Sequence, residues 1–131
     1  MSRAFLDSHV AYWLALDETR LSAQATKAII EHREVVVSSL MFAEFEMKAL
    51  LRKGPDFSEL ARVLGELRIA IEPFDYAATR EIARFASLVR HDPFDRMIFA
   101  QAAARPGTTF YTADAVLVDL GLDWVVDARA K

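Results

Sequence analysis

Short apolar runs alternate with stretches of helical period along the whole chain, and most runs end at a polar or turn-forming residue. Arg3–Leu6 predicts a first strand that closes on Asp7, and Ser8 to Leu16 predicts a helix. A polar turn at Asp17-Glu18-Thr19 precedes a helix over Ser22–His32, for which Ser22 is a suitable cap. Val35-Val36-Val37 is a β-branched run of the kind found in buried parallel strands. A long helix is expected over Leu40–Arg52, stopped by Gly54-Pro55, and a short one over Phe57–Glu66. Ile69–Phe74 alternates but contains Pro73, which predicts a short strand at a sheet edge. Ala77–Arg90 and Pro93–Arg105 read as helices, the second ending at Pro106-Gly107. Thr109–Tyr111 is a strand, Ala115–Leu120 a short helix closed by Gly121, and Trp124–Val126 a last strand.

Strands that alternate with helices imply a parallel sheet covered on both faces. Val35-Val36-Val37 and Phe110-Tyr111-Thr112 are the best central strands. The 131 residues suit one domain, 1–131, and contain no internal repeat, linker or low-complexity segment. Hydrophobic residues make up 53% of the chain and charged ones 27%, which leaves more apolar surface than a small core needs. The stretch Leu40–Leu51 is apolar nearly all round, and such a helix is either buried or covered by a partner. Without cysteine, a disulfide framework, a cysteine zinc site and a thiol nucleophile are all excluded. No apolar run is long enough to span a bilayer, and Asp7 and His9 interrupt the first apolar stretch too early for a signal peptide. A cytoplasmic protein with no membrane partner is therefore expected. The net charge of −3 provides no broad basic footprint for nucleic acid, so attraction to any nucleic acid would have to be local and assisted by cations.

The candidate chemistry lies in carboxylates. Asp7 ends the first strand, and in open α/β folds ligands bind beyond the carboxyl ends of the strands. Its ordinary reading is a helix cap, but Ser8 caps the same helix equally well and would leave the Asp7 carboxylate free. Glu44 falls early in the helix after the valine strand, within ion-pairing reach of Lys48. Glu46 is a rival with similarly apolar neighbours, and periodicity does not choose between the two. In Asp92-Pro93-Phe94-Asp95, Pro93 suits the first helical position, Asp92 becomes the cap and Asp95 is left for a site. Asp114 follows a strand and also suits a cap. Four carboxylates at one sheet edge repel one another unless a divalent cation neutralises them. His9, His32 and His91 match no zinc-ligand spacing, and neither a glycine-rich phosphate loop nor a nucleophile elbow is present. A phosphatase built on an Asp-x-Asp start is disfavoured by His9, which stands where the second acid belongs, and a receiver domain by its unmatched acid and lysine positions.

Phe5-Leu6-Asp7-Ser8-His9, Val37-Ser38-Ser39 through Ala43-Glu44, Asp92-Pro93-Phe94-Asp95-Arg96-Met97-Ile98 and Thr112-Ala113-Asp114 together resemble the PIN domain. More narrowly they resemble VapC-type toxins of bacterial and archaeal toxin–antitoxin pairs, over essentially the whole chain. Ala43 departs from the pattern, standing where close relatives often carry Trp. The resemblance implies a three-layer α/β/α fold with a five-stranded parallel sheet of order 3-2-1-4-5. It implies a ribonuclease dependent on Mg²⁺ or Mn²⁺, with Asp7, Glu44, Asp95 and Asp114 as the acidic quartet. Asp7 and Asp95 would be direct metal ligands, Glu44 and Asp114 would act partly through water, and Thr112 would support the last acid. It further implies a homodimer restrained by a VapB-type antitoxin. Arg96, Lys48, Arg52 and Lys53 are candidates for contacts to the RNA backbone. The alternative is a catalytically silent PIN-like module that only binds partners.

Overall fold

A computed structural model describes residues 2–53 and 56–131. Its strands are β1 Arg3–Leu6, β2 Glu34–Ser38, β3 Ala70–Glu72, β4 Thr108–Thr112 and β5 Val125–Asp127. Its α-helices are α1 Ser8–Leu16, α2 Ala23–Glu31, α3 Ser39–Leu50, α4 Leu60–Glu66, α5 Tyr76–Glu81, α6 Pro93–Ala103 and α7 Ala115–Val118. The strands form one parallel sheet in the order β3-β2-β1-β4-β5, the expected topology. β1 is the central strand, with Phe5 opposite Val36 on one side and Phe110 on the other. The two runs expected to be central flank it as β2 and β4.

Alternation along β1 explains the layers. Ala4 and Leu6 face a core that includes Val10 and Ala11 of α1, Ile29 of α2 and Met41 of α3. Phe5 faces the opposite core, against Ile98, Phe99 and Ala102 of α6 and Leu117 of α7. Each residue of β1 is buried, as a parallel strand covered on both faces requires. The edge strand β3 is held by Glu72, whose carboxylate accepts two bonds from the Arg3 guanidinium (2.9 and 3.0 Å) and one from Arg105 (2.8 Å).

Several element boundaries differ from the sequence reading, three of them with a local cause. The expected helix over Ala77–Arg90 breaks into α5 and a 3₁₀ segment, Ile82–Leu88, with Phe85 outside helical geometry (φ −111°, ψ 55°). That break turns the Phe85 ring inward, edge-on to Phe99 at 4.8 Å, and aromatic burial outweighs one regular turn. Helix α4 starts at Leu60 rather than Phe57, because Phe57 stacks flat on Phe45 at 3.9 Å. Helix α3 ends before Gly54-Pro55, the stop expected from sequence, which lies outside the described residues. Arg52 takes the left-handed conformation there (φ 52°), and the Lys53 amide bonds back to the Lys48 carbonyl at 2.9 Å. No helix among the described residues is long and apolar enough to cross a membrane.

The strand order reverses between β1 and β4, and a crevice opens beyond the carboxyl ends of two parallel strands at such a point. Asp7 follows β1 and Asp114 follows β4, so the topology alone carries both acids to that crevice.

Candidate metal centre

Each acid reaches the crevice by a local device. The Asp7 amide extends the β1–β4 ladder by donating to the Tyr111 carbonyl (2.9 Å), after which the chain turns into α1. Asp7, not Ser8, is the cap: its Oδ1 accepts from the Ser8 amide at 2.8 Å. Capping does not remove it from the cleft, since a carboxylate has lone pairs to spare. The Ser8 hydroxyl points across to Glu44, donating to Oε1 at 3.3 Å. Ser38 ends β2 and caps α3 through the Leu40 amide (3.0 Å), which sets the phase of α3. That phase buries Glu44, at 7% exposed, and leaves Glu46 exposed, so Glu44 is the acid that reaches the site. Lys48 pairs with Glu44 at 3.4 Å, as the spacing along the helix anticipates.

Asp92 caps α6, accepting from the amides of Phe94 (2.9 Å) and Asp95 (3.2 Å), with Pro93 at the start of the helix. Asp95 then projects from the first turn of α6 into the crevice. Asp114 caps α7 through the Val116 amide (2.9 Å). Arg96 donates to the Val89 carbonyl at 3.2 Å, so its guanidinium braces the loop before α6.

Asp7, Asp95 and Asp114 line one cleft of about 300 Å³, together with His9, Trp13 and Ala113. Ligand atoms of Glu44, Asp92 and Asp95 lie within 4.8 Å of one another, and so do those of His91, Asp95 and Asp114. Asp95 belongs to both triplets and is the hub of the cluster. Asp92, expected only to cap, also faces the acids. Asp7 lies outside both triplets, its Oδ2 taking a bond from Thr112 at 2.6 Å and its Oδ1 the bond from Ser8.

Two residues acquire roles that the sequence did not suggest. His91 Nε2 sits 2.5 Å from Asp114 Oδ2 and 3.7 Å from Asp95 Oδ2. Its position directly before the Asp92 cap was a usable signal, but its partner lies on a loop far along the chain. Thr112, expected to support Asp114, does so by accepting from the Asp114 amide (2.9 Å) and also donates to Asp7. One hydroxyl thus ties two acids together.

The electrostatics follow from this crowding. The Asp95 carboxyl is raised to about 7, first by burial and then by the charges of Asp7, Asp92, Glu44 and Asp114. Burial also raises Asp7, and the bonds from Thr112 and Ser8 oppose the rise. A group of hard carboxylate oxygens that hold one another's protons on is a donor set matched to a hard divalent cation. The chain's acidic groups therefore fit such an ion.

Residues 4–121 match the PIN domain family. Ribonuclease VapC22 of Mycobacterium tuberculosis is 34% identical over 107 residues, covering 78% of this chain and 80% of that protein. Among solved structures, VapBC2 from Rickettsia felis bound to a DNA fragment from its promoter aligns with a TM-score of 0.63 at 13% identity, covering 95% of this chain and 96% of that one. DNA-bound VapBC from Salmonella typhimurium aligns with a TM-score of 0.61 at 19% identity, over 86% of each chain. These two structures share the fold. The family match and the sequence relative carry the classification: the chain belongs to the PIN-domain family, among its VapC-type ribonucleases.

Proposed function

We propose that the chain is the toxin of a toxin–antitoxin pair and hydrolyses RNA phosphodiester bonds with Mg²⁺ held by Asp7, Glu44, Asp95 and Asp114. The observation that carries this reading is the meeting of these acids at the β1–β4 crevice, where burial first and their charges second lift Asp95 to about 7. Of the expected direct ligands, Asp7 and Asp95, Asp95 keeps that place, and Glu44, with a carboxylate oxygen within 4.8 Å of one on Asp95, is better placed than Asp7 to join it. Asp7 lies at the floor and is held by Thr112 and the Ser8 amide, while His91 and the Val116 amide orient Asp114. When bound, the ion neutralises charge on the phosphate and acidifies the attacking water. The residues' own contribution is a set of acceptors of which Asp7, Glu44 and Asp114 are fixed by a backbone amide or a hydroxyl before substrate arrives, with Asp95 left open toward the ion. Mn²⁺ has the same preference for oxygen donors and is the expected substitute.

The direct test is removal of the metal. Cleavage of a structured RNA should vanish in excess EDTA and return on adding Mg²⁺ beyond the chelator. Undiminished cleavage in EDTA would refute the metal mechanism, and an RNA left intact under every metal tried would favour the silent interaction module.

The same reading extends to partners. One domain over 1–131, acting in the cytoplasm, would form a homodimer and be restrained by a VapB-type antitoxin. The end of α3 supports a covered surface: Met47, Leu50 and Leu51 are 56%, 85% and 66% exposed. Light scattering at micromolar concentration should return twice the 14.7 kDa chain mass. A strictly monomeric mass would exclude the homodimer.

A further inference from the structure

We propose that Trp13, with His9 beside it, is a stacking shelf for a nucleobase next to the scissile phosphate. This rests on the ribonuclease reading above and adds a subsite to it.

The geometry begins with helix α1. Its cap is Asp7, His9 follows two positions later and Trp13 lies one turn beyond His9 on the same side, the two rings 5.8 Å apart. Both rings line the acidic cleft. Both also line a second cleft, of about 520 Å³, whose walls include Tyr12, Phe45 and Phe57. His9 and Trp13 are thus the threshold between the acids and an aromatic groove large enough for a small organic ligand.

The charges at the rim favour a nucleic acid over an apolar peptide. Arg20 and Lys48 line the second cleft, and the Arg20 guanidinium lies 5.8 Å from the centre of the Trp13 ring. Both cations keep exposed ends: Arg20 is 3.5 Å from Asp17 with both side chains open to solvent, and Lys48 is 3.4 Å from the buried Glu44 with its own side chain 40% exposed. A phosphate arriving beside Arg20 competes only with an exposed ion pair of little net strength. Aromatic rings and cations lining one groove are the combination that binds single strands, where each base offers a face for stacking and each phosphate a charge. A base inside a duplex has no free face, so paired RNA cannot use the shelf.

Trp13 packs partly against the main core, which accounts for its inner edge. It does not account for a half-buried indole at the mouth of the acidic cleft with a guanidinium over it.

The test follows Trp13 fluorescence in the whole protein, with Ca²⁺ replacing Mg²⁺ and the oligonucleotide checked for integrity afterwards. The probe is an oligoadenylate RNA of about ten nucleotides, in the range of single-strand binding sites. The other tryptophan, Trp124, stacks on Phe99 in the opposite core, so a Trp124→Phe variant isolates the Trp13 signal. Should that variant not fold, the difference between the unaltered protein and Trp13→Phe isolates the same signal. Saturable quenching of Trp13 is expected. Trp13→Leu, which keeps apolar volume, should weaken oligoadenylate binding roughly 5- to 150-fold and raise KM more than it lowers kcat, while Trp13→Phe retains most of the affinity.

RNA that binds and is cleaved while Trp13 emission stays constant, with Trp13→Leu binding normally, would overturn the shelf and leave the ribonuclease reading standing. Quenching by an antitoxin peptide but not by RNA would likewise overturn it. No binding or cleavage of any RNA would remove both.

Discussion

Replacing Asp95 by Asn is expected to abolish RNA cleavage while making the metal-free protein more stable at pH 8. The two effects share one cause. Asp95 sits among Asp7, Asp92, Glu44 and Asp114, and burial with their charges lifts its carboxyl from 3.8 to about 7. A carboxyl whose native value lies above its unfolded value favours folding fully only below the unfolded value. That contribution is lost as pH rises from about 4 through about 7. At 1.36 kcal/mol per unit, the penalty at pH 8 is on the order of 4 kcal/mol at most. Asn keeps the shape and carries no charge, so its apo form should melt about 5–10 °C higher at pH 8 and nearly level with the unaltered protein at pH 4. Asp7 is raised in the same direction, so the same trend with pH is expected of Asp7→Asn.

Added Mg²⁺ should reverse the ranking. An ion that binds only the native cluster stabilises the unaltered protein by mass action, and the variant lacks the hub ligand. Cleavage should fall at least about 10³-fold, since several kcal/mol of charge stabilisation at the phosphate go with the ion. Melting curves at pH 4 and pH 8, with and without Mg²⁺, read all of this in one experiment. A variant less stable than the parent at pH 8 without metal would mean that Asp95 is held by bonds and not strained by repulsion.

Much of this site was visible in the sequence because the relevant residues stand at element junctions. Asp7 ends an apolar strand, Asp92 and Pro93 open a helix, and Asp114 follows another strand, all positions with local signatures. The choice between Glu44 and Glu46 was not visible from residue pattern. Helix α3 is apolar on nearly every side, so no hydrophobic stripe fixes its phase, and the Ser38 cap together with packing on the sheet decides it. His91 was passed over because its value depends on contact with Asp114, a pairing 23 residues apart that no short spacing encodes. Phe85 is the same lesson in the core: its break from the helix is set by Phe99 on another element. Local chemistry announced which acids were available, and tertiary contacts determined which other side chains organise them.

Thr112 is the clearest of those organising groups, and Thr112→Val should cost activity while leaving every acid in place. Its hydroxyl is fully buried at the end of β4, donating to Asp7 Oδ2 at 2.6 Å and accepting from the Asp114 amide at 2.9 Å. Valine fills the same space and does neither. The Asp7 carboxyl would then rise further, because the Thr112 bond is the largest effect opposing its burial. The Asp114 amide would lose its acceptor, at a cost of about 1–3 kcal/mol if water does not replace it. Supporting groups of this kind typically carry a 10- to 100-fold effect on metal affinity, so cleavage should fall about that much at limiting Mg²⁺ and less at saturating Mg²⁺. Thr112→Ser keeps the hydroxyl and should restore both the stability and the metal dependence. The comparison is decisive because the two substitutions divide the side chain cleanly: valine keeps its volume and serine keeps its oxygen. If Val matched the parent in Mg²⁺ dependence while Ser did not, packing of the methyl group, rather than the shared hydroxyl, would be what holds the two acids in place.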